Sequence, residues 1–219
     1  MAREKKELLK IYERLFDFFG SQRWWPAETI LEVIVGAILT QNTAWSNVEK
    51  AIGRLKQDNL LHLDELVKIP QKKLEGLIHS SGFYRQKAGR LKKFVKYLKQ
   101  AGREDWKKYF SRDILSLRKE LLSQKGIGPE TADSILLYAG HKMIFVVDAY
   151  TRRIGRRIGL FDSEDYHWVQ NYFQDNLPKR VKLYQEYQAL LVALGKNYCR
   201  SKPVCPACPL GKICDSCKV

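Results

Sequence analysis

The chain has 219 residues, 45% of them hydrophobic, which is enough for one large domain or two small ones with a sizeable core. Its 39 Lys and Arg against 24 Asp and Glu give a net charge of +15, which indicates a polyanionic partner such as nucleic acid, with a solvated basic surface as the alternative. No apolar run reaches the ~18 residues of a membrane span, and the charged N-terminus lacks a signal peptide pattern, so we expect a cytoplasmic protein.

Helical periodicity runs through almost the whole sequence. The first predicted helix ends at Gly20, and residues 28–39 are apolar almost all round, which predicts a central buried helix. The other predicted helices are residues 46–55, two short helices within 63–78 broken near Pro70, then 85–100, 113–124, 130–139, 149–158, 165–176 and 181–197. Strand signals are weak, and residues 143–147 are expected to be merely extended. The prediction is an all-α fold.

A glycine-hinged turn, Lys125-Gly126-Ile127-Gly128-Pro129, links two of these helices, and Asp148 follows a short apolar segment downstream. Gly126 and Gly128 are expected to take conformations closed to other residues, and Pro129 suits the first turn of a helix. Such a turn points backbone N–H groups and a helix N-terminus outward, which favours a phosphate. The predicted unit is therefore helix, hairpin, helix.

Four cysteines near the C-terminus have the spacing C-x5-C-x2-C-x5-C, at Cys199, Cys205, Cys208 and Cys214. Four thiolates this close predict a metal-binding loop, and thiolates suit an iron–sulfur cluster and zinc equally. The fifth cysteine, Cys217, is interpreted as a free surface thiol, because disulfides are not expected in a cytosolic chain. The four histidines show no metal-binding spacing.

Hairpin, aspartate and cysteines in this order resemble the helix-hairpin-helix DNA glycosylases of the endonuclease III superfamily, over residues 24–214. The resemblance implies a nucleoid-associated base excision repair enzyme that binds double-stranded DNA with a damaged base. We expect a monomer, because nothing in the sequence indicates otherwise. It also implies two helical lobes with a DNA groove between them. A central six-helix lobe with the hairpin would span residues 28–141. Residues 1–27 and 142–219 would form the second lobe, with the aspartate and the cysteine loop.

The resemblance points to a [4Fe–4S] cluster on Cys199, Cys205, Cys208 and Cys214, with zinc as the less favoured occupant. One departure is that five residues separate the first two cysteines, where the family usually has six. Such a cluster is expected to be structural, shaping the basic loop at residues 200–202 against phosphate, although a role in electron transfer stays open.

Asp148 occupies the position of the family's catalytic aspartate. A glycosylase flips the damaged nucleotide out of the duplex and cuts its C1′–N bond through a transition state like an oxocarbenium ion. A fixed carboxylate stabilises that positive charge and can orient or deprotonate water. The alternative reading of Asp148 is an N-cap for the following helix, and the two roles are compatible.

The chain lacks the lysine that bifunctional members carry two residues after the second hairpin glycine, where it attacks C1′ to form a Schiff base. Glu130 stands there, and Lys125 precedes the first glycine, so it is no substitute. The resemblance therefore predicts a monofunctional glycosylase without AP lyase activity. Glu130 is read as an acid favoured by the helix dipole, with assistance to water as the alternative.

The segment Trp24-Trp25-Pro26, together with Trp45 and residues 82–88, resembles the endonuclease III-like 3-methyladenine glycosylases of bacteria, in which matching positions line the base pocket. Alkylated purines such as 3-methyladenine and 7-methylguanine are cationic, and they would gain from cation–π attraction and stacking on indole rings. They are also good leaving groups. The alternative is that these tryptophans pack in the core, and some relatives of that subgroup lack the cysteine cluster.

Further DNA contacts follow from the same resemblance. Gln41 matches a glutamine that enters the duplex, Phe83 matches an apolar wedge, and residues Lys125, Gly126, Ile127 and Gly128 form the hairpin contact. Two basic runs are candidate phosphate contacts: Arg85, Lys87, Arg90, Lys92 and Lys93, and Arg152, Arg153, Arg156 and Arg157.

Three other functions stay open at this point. The nearest is a monofunctional glycosylase for uracil or thymine in mispairs. The others are a glycosylase with lyase activity through another amine and a non-catalytic DNA-binding module.

Overall fold

The computed structural model describes residues 2–217, with side chains from residue 4 onward. The described helices are α1 (Ala2–Phe19), α2 (Ile30–Leu39), α3 (Trp45–Gln57), α4 (Leu63–Lys68), α5 (Gln71–Leu77), α6 (Tyr84–Gln100), α7 (Trp106–Ser111), α8 (Ile114–Leu122), α9 (Pro129–Ser134), α10 (Ala149–Arg157), α11 (Tyr166–Asn176) and α12 (Val181–Asn197). A π-helical turn (Ile135–Ala139) prolongs α9. No β-strand occurs in residues 2–217, so the all-α prediction is confirmed.

The chain divides into two compact units. One is formed by a single stretch, Ala27–His141, and is called the continuous unit below. The other combines Met1–Pro26 with Lys142–Val219, and is called the discontinuous unit.

The core of the continuous unit is built around α2. Nine of its ten residues are buried, from Leu31 to Leu39, and Thr29 caps its first turn by accepting the Glu32 N–H at 3.1 Å. The helix packs on α3, α6, α9 and the π-helical turn, which explains why it is apolar on all sides.

A buried ion pair joins the two helices of the hairpin. Asp133 on α9 is fully buried and accepts two hydrogen bonds from Arg118 on α8, at 2.7 and 3.1 Å. Removing one member of such a pair leaves a buried charge without compensation, which typically costs about 3–5 kcal/mol. The pair therefore fixes the direction in which α9 leaves the turn.

The discontinuous unit packs α1 on α11 and α12, and α10 on α12. Its core is aromatic: Phe145 stacks on Phe173 with ring centroids 4.3 Å apart, and Tyr184 and Tyr187 meet Phe145 edge-on. The Tyr187 hydroxyl donates to the Leu8 carbonyl at 3.0 Å, which ties α12 to α1.

Two local features differ from the sequence-based expectation. Helix α7 was not predicted, because its buried residues, Tyr109 and Phe110, are adjacent and show no helical spacing. Gly128 has φ −92° and ψ 178°, an extended conformation that any residue adopts, so only Gly126, at φ +91°, needs to be glycine for its backbone. None of the described helices is long and apolar enough to cross a lipid bilayer.

Candidate active site and DNA-binding surface

Asp148 lies at the N-terminus of α10, where it is only 7% exposed. Its Oδ1 accepts the Thr151 N–H at 2.7 Å and the Thr151 hydroxyl at 2.9 Å, which confirms the N-cap reading. Its Oδ2 accepts Nε2 of Gln188, on α12, at 3.0 Å. Three donors therefore hold the carboxylate in one orientation.

The electrostatic setting of Asp148 is dominated by desolvation. Burial raises the pKa of this carboxyl, whereas the hydrogen bonds from Thr151 and Gln188 and the charge of Arg152 lower it in part. A buried carboxylate held by fixed dipoles is suited to stabilising a positive charge that develops beside it, because little solvent screens the interaction.

Trp24 and Trp25 are both half-buried, with ring centroids 4.9 Å apart and planes tilted by 45°. The loop before them is anchored on α12, because Glu186 accepts the Ser21 hydroxyl at 2.9 Å and the Gln22 N–H at 2.6 Å. Pro26, the next residue, is exposed. Trp45 is half-buried at the start of α3, in the continuous unit.

The hairpin turn presents Lys125 and Gly128 to solvent, and Pro129 starts α9 as expected. Ile127 differs from its neighbours, since its side chain is buried and its N–H donates to the Gln124 carbonyl at 3.0 Å. Ile127 therefore anchors the turn, and the predicted direct DNA contact is better assigned to the residues beside it.

Both ends of the Gln41 side-chain amide make hydrogen bonds, one end to the hairpin unit and the other to α6. Its Nε2 donates to the Gly126 carbonyl at 3.0 Å and to Oγ1 of Thr131 at 2.9 Å, and its Oε1 accepts Nη1 of Arg90 at 2.6 Å. A Cβ on Gly126 would lie 2.6 Å from Cδ of Arg90, so this glycine also makes room for the arginine.

Phe83 is 64% exposed and stands immediately before α6 with φ +45°, in the left-handed region that a phenylalanine rarely enters. An exposed aromatic ring on a strained backbone gains nothing for the core, and such strain is typical of functional positions.

The structure corrects several of the candidate phosphate contacts. Lys87 is buried, and the Lys92 ammonium donates to the carbonyls of Leu66, Val67 and Ile69 at 2.5–3.3 Å, so these side chains point into the protein. Arg90 is engaged by Gln41. Arg85 and Lys93 stay exposed and stay candidates.

The arginines of α10 line a groove of about 580 Å³ in the discontinuous unit. Two of these arginines, Arg153 and Arg157, donate hydrogen bonds to the cysteine loop, which comprises residues 199–214, or to the helix end before it. Arg153 donates to the carbonyls of Cys199 and Gly195 at 2.9 and 3.3 Å, and Arg157 donates to the Arg200 and Ser201 carbonyls and to Sγ of Cys199 at 3.4 Å. Arg156 pairs with Asp162 and Glu164. Helix α10 thus carries Asp148 at its start and fastens the cysteine loop along its length.

The four predicted ligand cysteines line one small cavity of the discontinuous unit. Cys217 is a free, partly exposed thiol, and it lines this cavity too, along with apolar side chains of α10 and α12. Burial raises the pKa of the Cys208 thiol, and the charges of Cys199, Cys205 and Cys214 raise it further, as expected for thiols gathered in one place.

The donor set fits an iron–sulfur cluster and a zinc ion alike, because four thiolates are ligands that both use. The four thiols line one cavity. Within residues 2–217, no three His, Cys, Asp or Glu side chains are placed to bind a metal ion.

Sequence reasoning missed the two residues of α12 that support the site, Gln188 and Glu186. Gln188 did leave a signal, because it is a polar residue on the buried, apolar side of an amphipathic helix. Its partner could not be read from the sequence, since the two residues are 40 positions apart.

Comparison with known proteins places this chain in a family. Residues 35–179 match the family model described as "HhH-GPD superfamily base excision DNA repair protein". A protein of Methanocaldococcus jannaschii named "Putative DNA repair glycosylase MJ1434" is 47% identical over 99% of this chain and 100% of its own length.

Solved structures give the same result. The H. pylori 3-methyladenine DNA glycosylase (MagIII) bound to 1,N6-ethenoadenine is 29% identical, with a TM-score of 0.76, over 88% of this chain and 97% of its own. A non-covalent endonuclease III–DNA complex shares the fold, with a TM-score of 0.83 at 22% identity over 98% of this chain and 96% of its own. The chain therefore belongs to the HhH-GPD superfamily of base excision repair proteins and is a DNA glycosylase that binds damaged double-stranded DNA.

Proposed function

We propose that this glycosylase is monofunctional, acts as a monomer and removes alkylated purines, among them 3-methyladenine and 7-methylguanine. The observation that carries the choice of substrate is the Trp24–Trp25 pair, two half-buried indole rings on a loop anchored by Glu186. The pair occurs in a chain 29% identical to a 3-methyladenine glycosylase of known structure. Trp45 and Pro26 stay predicted contacts for the base.

Selection of the base would follow from its charge. An N3- or N7-alkylated purine carries a positive charge, and an indole face attracts a desolvated cation by up to ~2 kcal/mol. Stacking adds about 1–3 kcal/mol per base, but it is available to any base. The cationic term therefore separates a methylated purine from thymine or uracil.

Bond cleavage needs little beyond Asp148. Because the positively charged base leaves readily, the site requires no strong general acid. The carboxylate, held by Thr151 and Gln188, would stabilise the sugar as it becomes an oxocarbenium ion and would orient the attacking water. The products are the free base and an abasic site.

Contact with DNA would come from the exposed hairpin residues, Lys125 and Gly128 with the backbone N–H groups beside them, facing a phosphate. Gln41 and Phe83 would enter the duplex when the nucleotide leaves. Gln41 must then exchange its hydrogen bonds to Gly126, Thr131 and Arg90 for bonds to DNA. The bonds it makes in the protein would hold it beside the hairpin until that moment.

The cysteine loop would hold a [4Fe–4S] cluster through Cys199, Cys205, Cys208 and Cys214. Bound there, the cluster would supply cross-links between distant parts of the loop. Arg153 and Arg157 would keep the cross-linked loop against α10, and so near the helix that positions Asp148. The five-residue spacing between Cys199 and Cys205 accommodates this gathering of thiols around one cavity.

The proposed substrate is tested by incubating the protein with methylated genomic DNA and resolving the released bases by chromatography. We expect free 3-methyladenine and 7-methylguanine, and no thymine or uracil from mispaired duplexes. Trp25→Leu should reduce release more than about tenfold, because it removes a cation-binding ring. Trp168→Leu, which changes a half-exposed tryptophan of the same unit, is the matched control. Release of thymine or uracil without methylpurines would overturn the substrate assignment.

Lack of lyase activity has a separate test. Glu130 stands where a nucleophilic lysine would be needed, so borohydride added during turnover should trap no covalent protein–DNA adduct. A glycosylase with known lyase activity, run in parallel, shows that trapping works. A trapped band from this protein would mean that another amine attacks C1′.

A further inference from the structure

The buried lysine of α6 is a feature that the proposed chemistry does not use. Lys87 is 1% exposed, and its ammonium donates to the Leu39 carbonyl at 2.8 Å and to the Ser81 carbonyl at 2.6 Å. Both carbonyls belong to the continuous unit, one at the end of α2 and the other just before α6.

The position is an expensive one for an ammonium group. Burial, together with the smaller effect of the Arg90 charge, lowers the pKa of Lys87 to about 8. An apolar side chain of similar size would fill the same space without the cost of desolvating a charge. Packing alone therefore does not explain a lysine here, and its hydrogen bonds have to be considered.

The two carbonyls have related places in the chain. Leu39 comes two residues before Gln41, and Ser81 comes two residues before Phe83. The Lys87 ammonium thus binds the backbone two residues before each of the two side chains that are expected to enter the duplex. Arg90, one turn further along α6, holds the Gln41 amide itself.

We propose that Lys87 is a positioning residue that sets the spacing between Gln41 and Phe83, so that both enter the duplex together as the damaged nucleotide leaves. This inference rests on the DNA-inserting roles given to Gln41 and Phe83 in the proposed function. Lys87 touches neither the base nor the sugar, and it acts on the opening of the duplex instead of on bond cleavage.

A matched control lies on the same helix. The Lys92 ammonium also donates to backbone carbonyls, those of Leu66, Val67 and Ile69, and burial also lowers its pKa. These carbonyls lie at the end of α4, away from Gln41 and Phe83 in sequence. Lys92→Met therefore removes the same kind of tether without loosening either inserting residue.

The experiment compares wild type, Lys87→Met and Lys92→Met on two defined duplexes under single-turnover conditions. In one, 7-methylguanine is paired with cytosine, and in the other it faces an abasic site. A base without a partner costs less to flip. We therefore expect Lys87→Met to slow release about tenfold from the paired duplex and at most about threefold from the unpaired one. Lys92→Met should behave like wild type on both.

Two results would overturn the inference: equal slowing of Lys87→Met on both duplexes, or no difference between Lys87→Met and Lys92→Met. If Lys87→Met does not fold, Lys87→Gln, whose amide keeps a hydrogen-bond donor, is measured on the same two duplexes and judged in the same way. Failure of the wild type to release 7-methylguanine from either duplex would instead count against the proposed substrate.

Discussion

Replacing Asp148 with Asn is expected to reduce base release by a factor of about 10³ while leaving the fold and DNA binding intact. The substitution removes the negative charge that faces the oxocarbenium-like sugar, and loss of one such electrostatic contact typically costs 10²–10³ in rate. Asparagine caps helices as well as aspartate does, so Thr151 keeps its partner. Gln188 can turn its amide to present an acceptor.

The measurement is single-turnover release of 7-methylguanine, with thermal unfolding and DNA affinity recorded on the same preparation. Thr151→Ala provides the control for the cap, because it removes the hydroxyl donor but keeps the carboxylate and the backbone N–H. Unchanged release by Asp148→Asn would show that the catalytic assignment is wrong.

The pH profile gives a second readout of the same residue. In the proposed mechanism Asp148 acts in its ionised form, and burial raises its pKa above the usual carboxyl value. Release by the wild type should therefore fall as the pH drops through this raised pKa, whereas the residual release by Asp148→Asn should lack that acid limb. If release by both proteins falls over the same acidic pH range, protonation of Asp148 is not the cause of the fall.

The second large effect is expected for the cysteine loop. Cys208→Ser should abolish the bound iron, lower the unfolding temperature by several degrees and weaken DNA binding, because one of four proposed ligands is lost. Iron and acid-labile sulfide are measured on the purified proteins. About four of each per chain would fit the cluster, and one zinc ion without sulfide would contradict it.

Cys217→Ser is the control for that experiment. Cys217 lines the same cavity but lies outside the ligand spacing, so its variant should keep a full complement of iron. Loss of iron in Cys217→Ser but not in Cys214→Ser would show that Cys217, and not Cys214, is the fourth ligand.

Much of the fold could be read from periodicity. The helices that bury one face, such as α3 and α12, and the one that buries all faces, α2, each left a clear apolar pattern. Two helix ends were also predicted, by Pro129 at the start of α9 and by Gly20 after α1, whereas α2 begins after its N-cap Thr29, later than predicted.

What the sequence left undetermined depends on contacts between distant residues. Lys87 reads as one more basic residue in a basic run, and only the fold shows that it is buried against Leu39 and Ser81. The arginines of α10 likewise look like a phosphate-binding row, yet two of them bind loop carbonyls more than 40 positions away. The sequence gives the number of basic side chains, but the groups that these side chains contact depend on the fold.

The division of the chain into a continuous and a discontinuous unit has a consequence for protein synthesis. Helix α1 is translated before α11 and α12, on which it packs and which follow it by roughly 150–180 residues, and Gln188 arrives with them. The hairpin-bearing unit, in contrast, is one uninterrupted stretch that can fold while translation continues. A nascent chain could thus present its hairpin to DNA before Asp148 is held in place. Under the proposed role of Asp148, such unfinished copies would be unable to generate abasic sites.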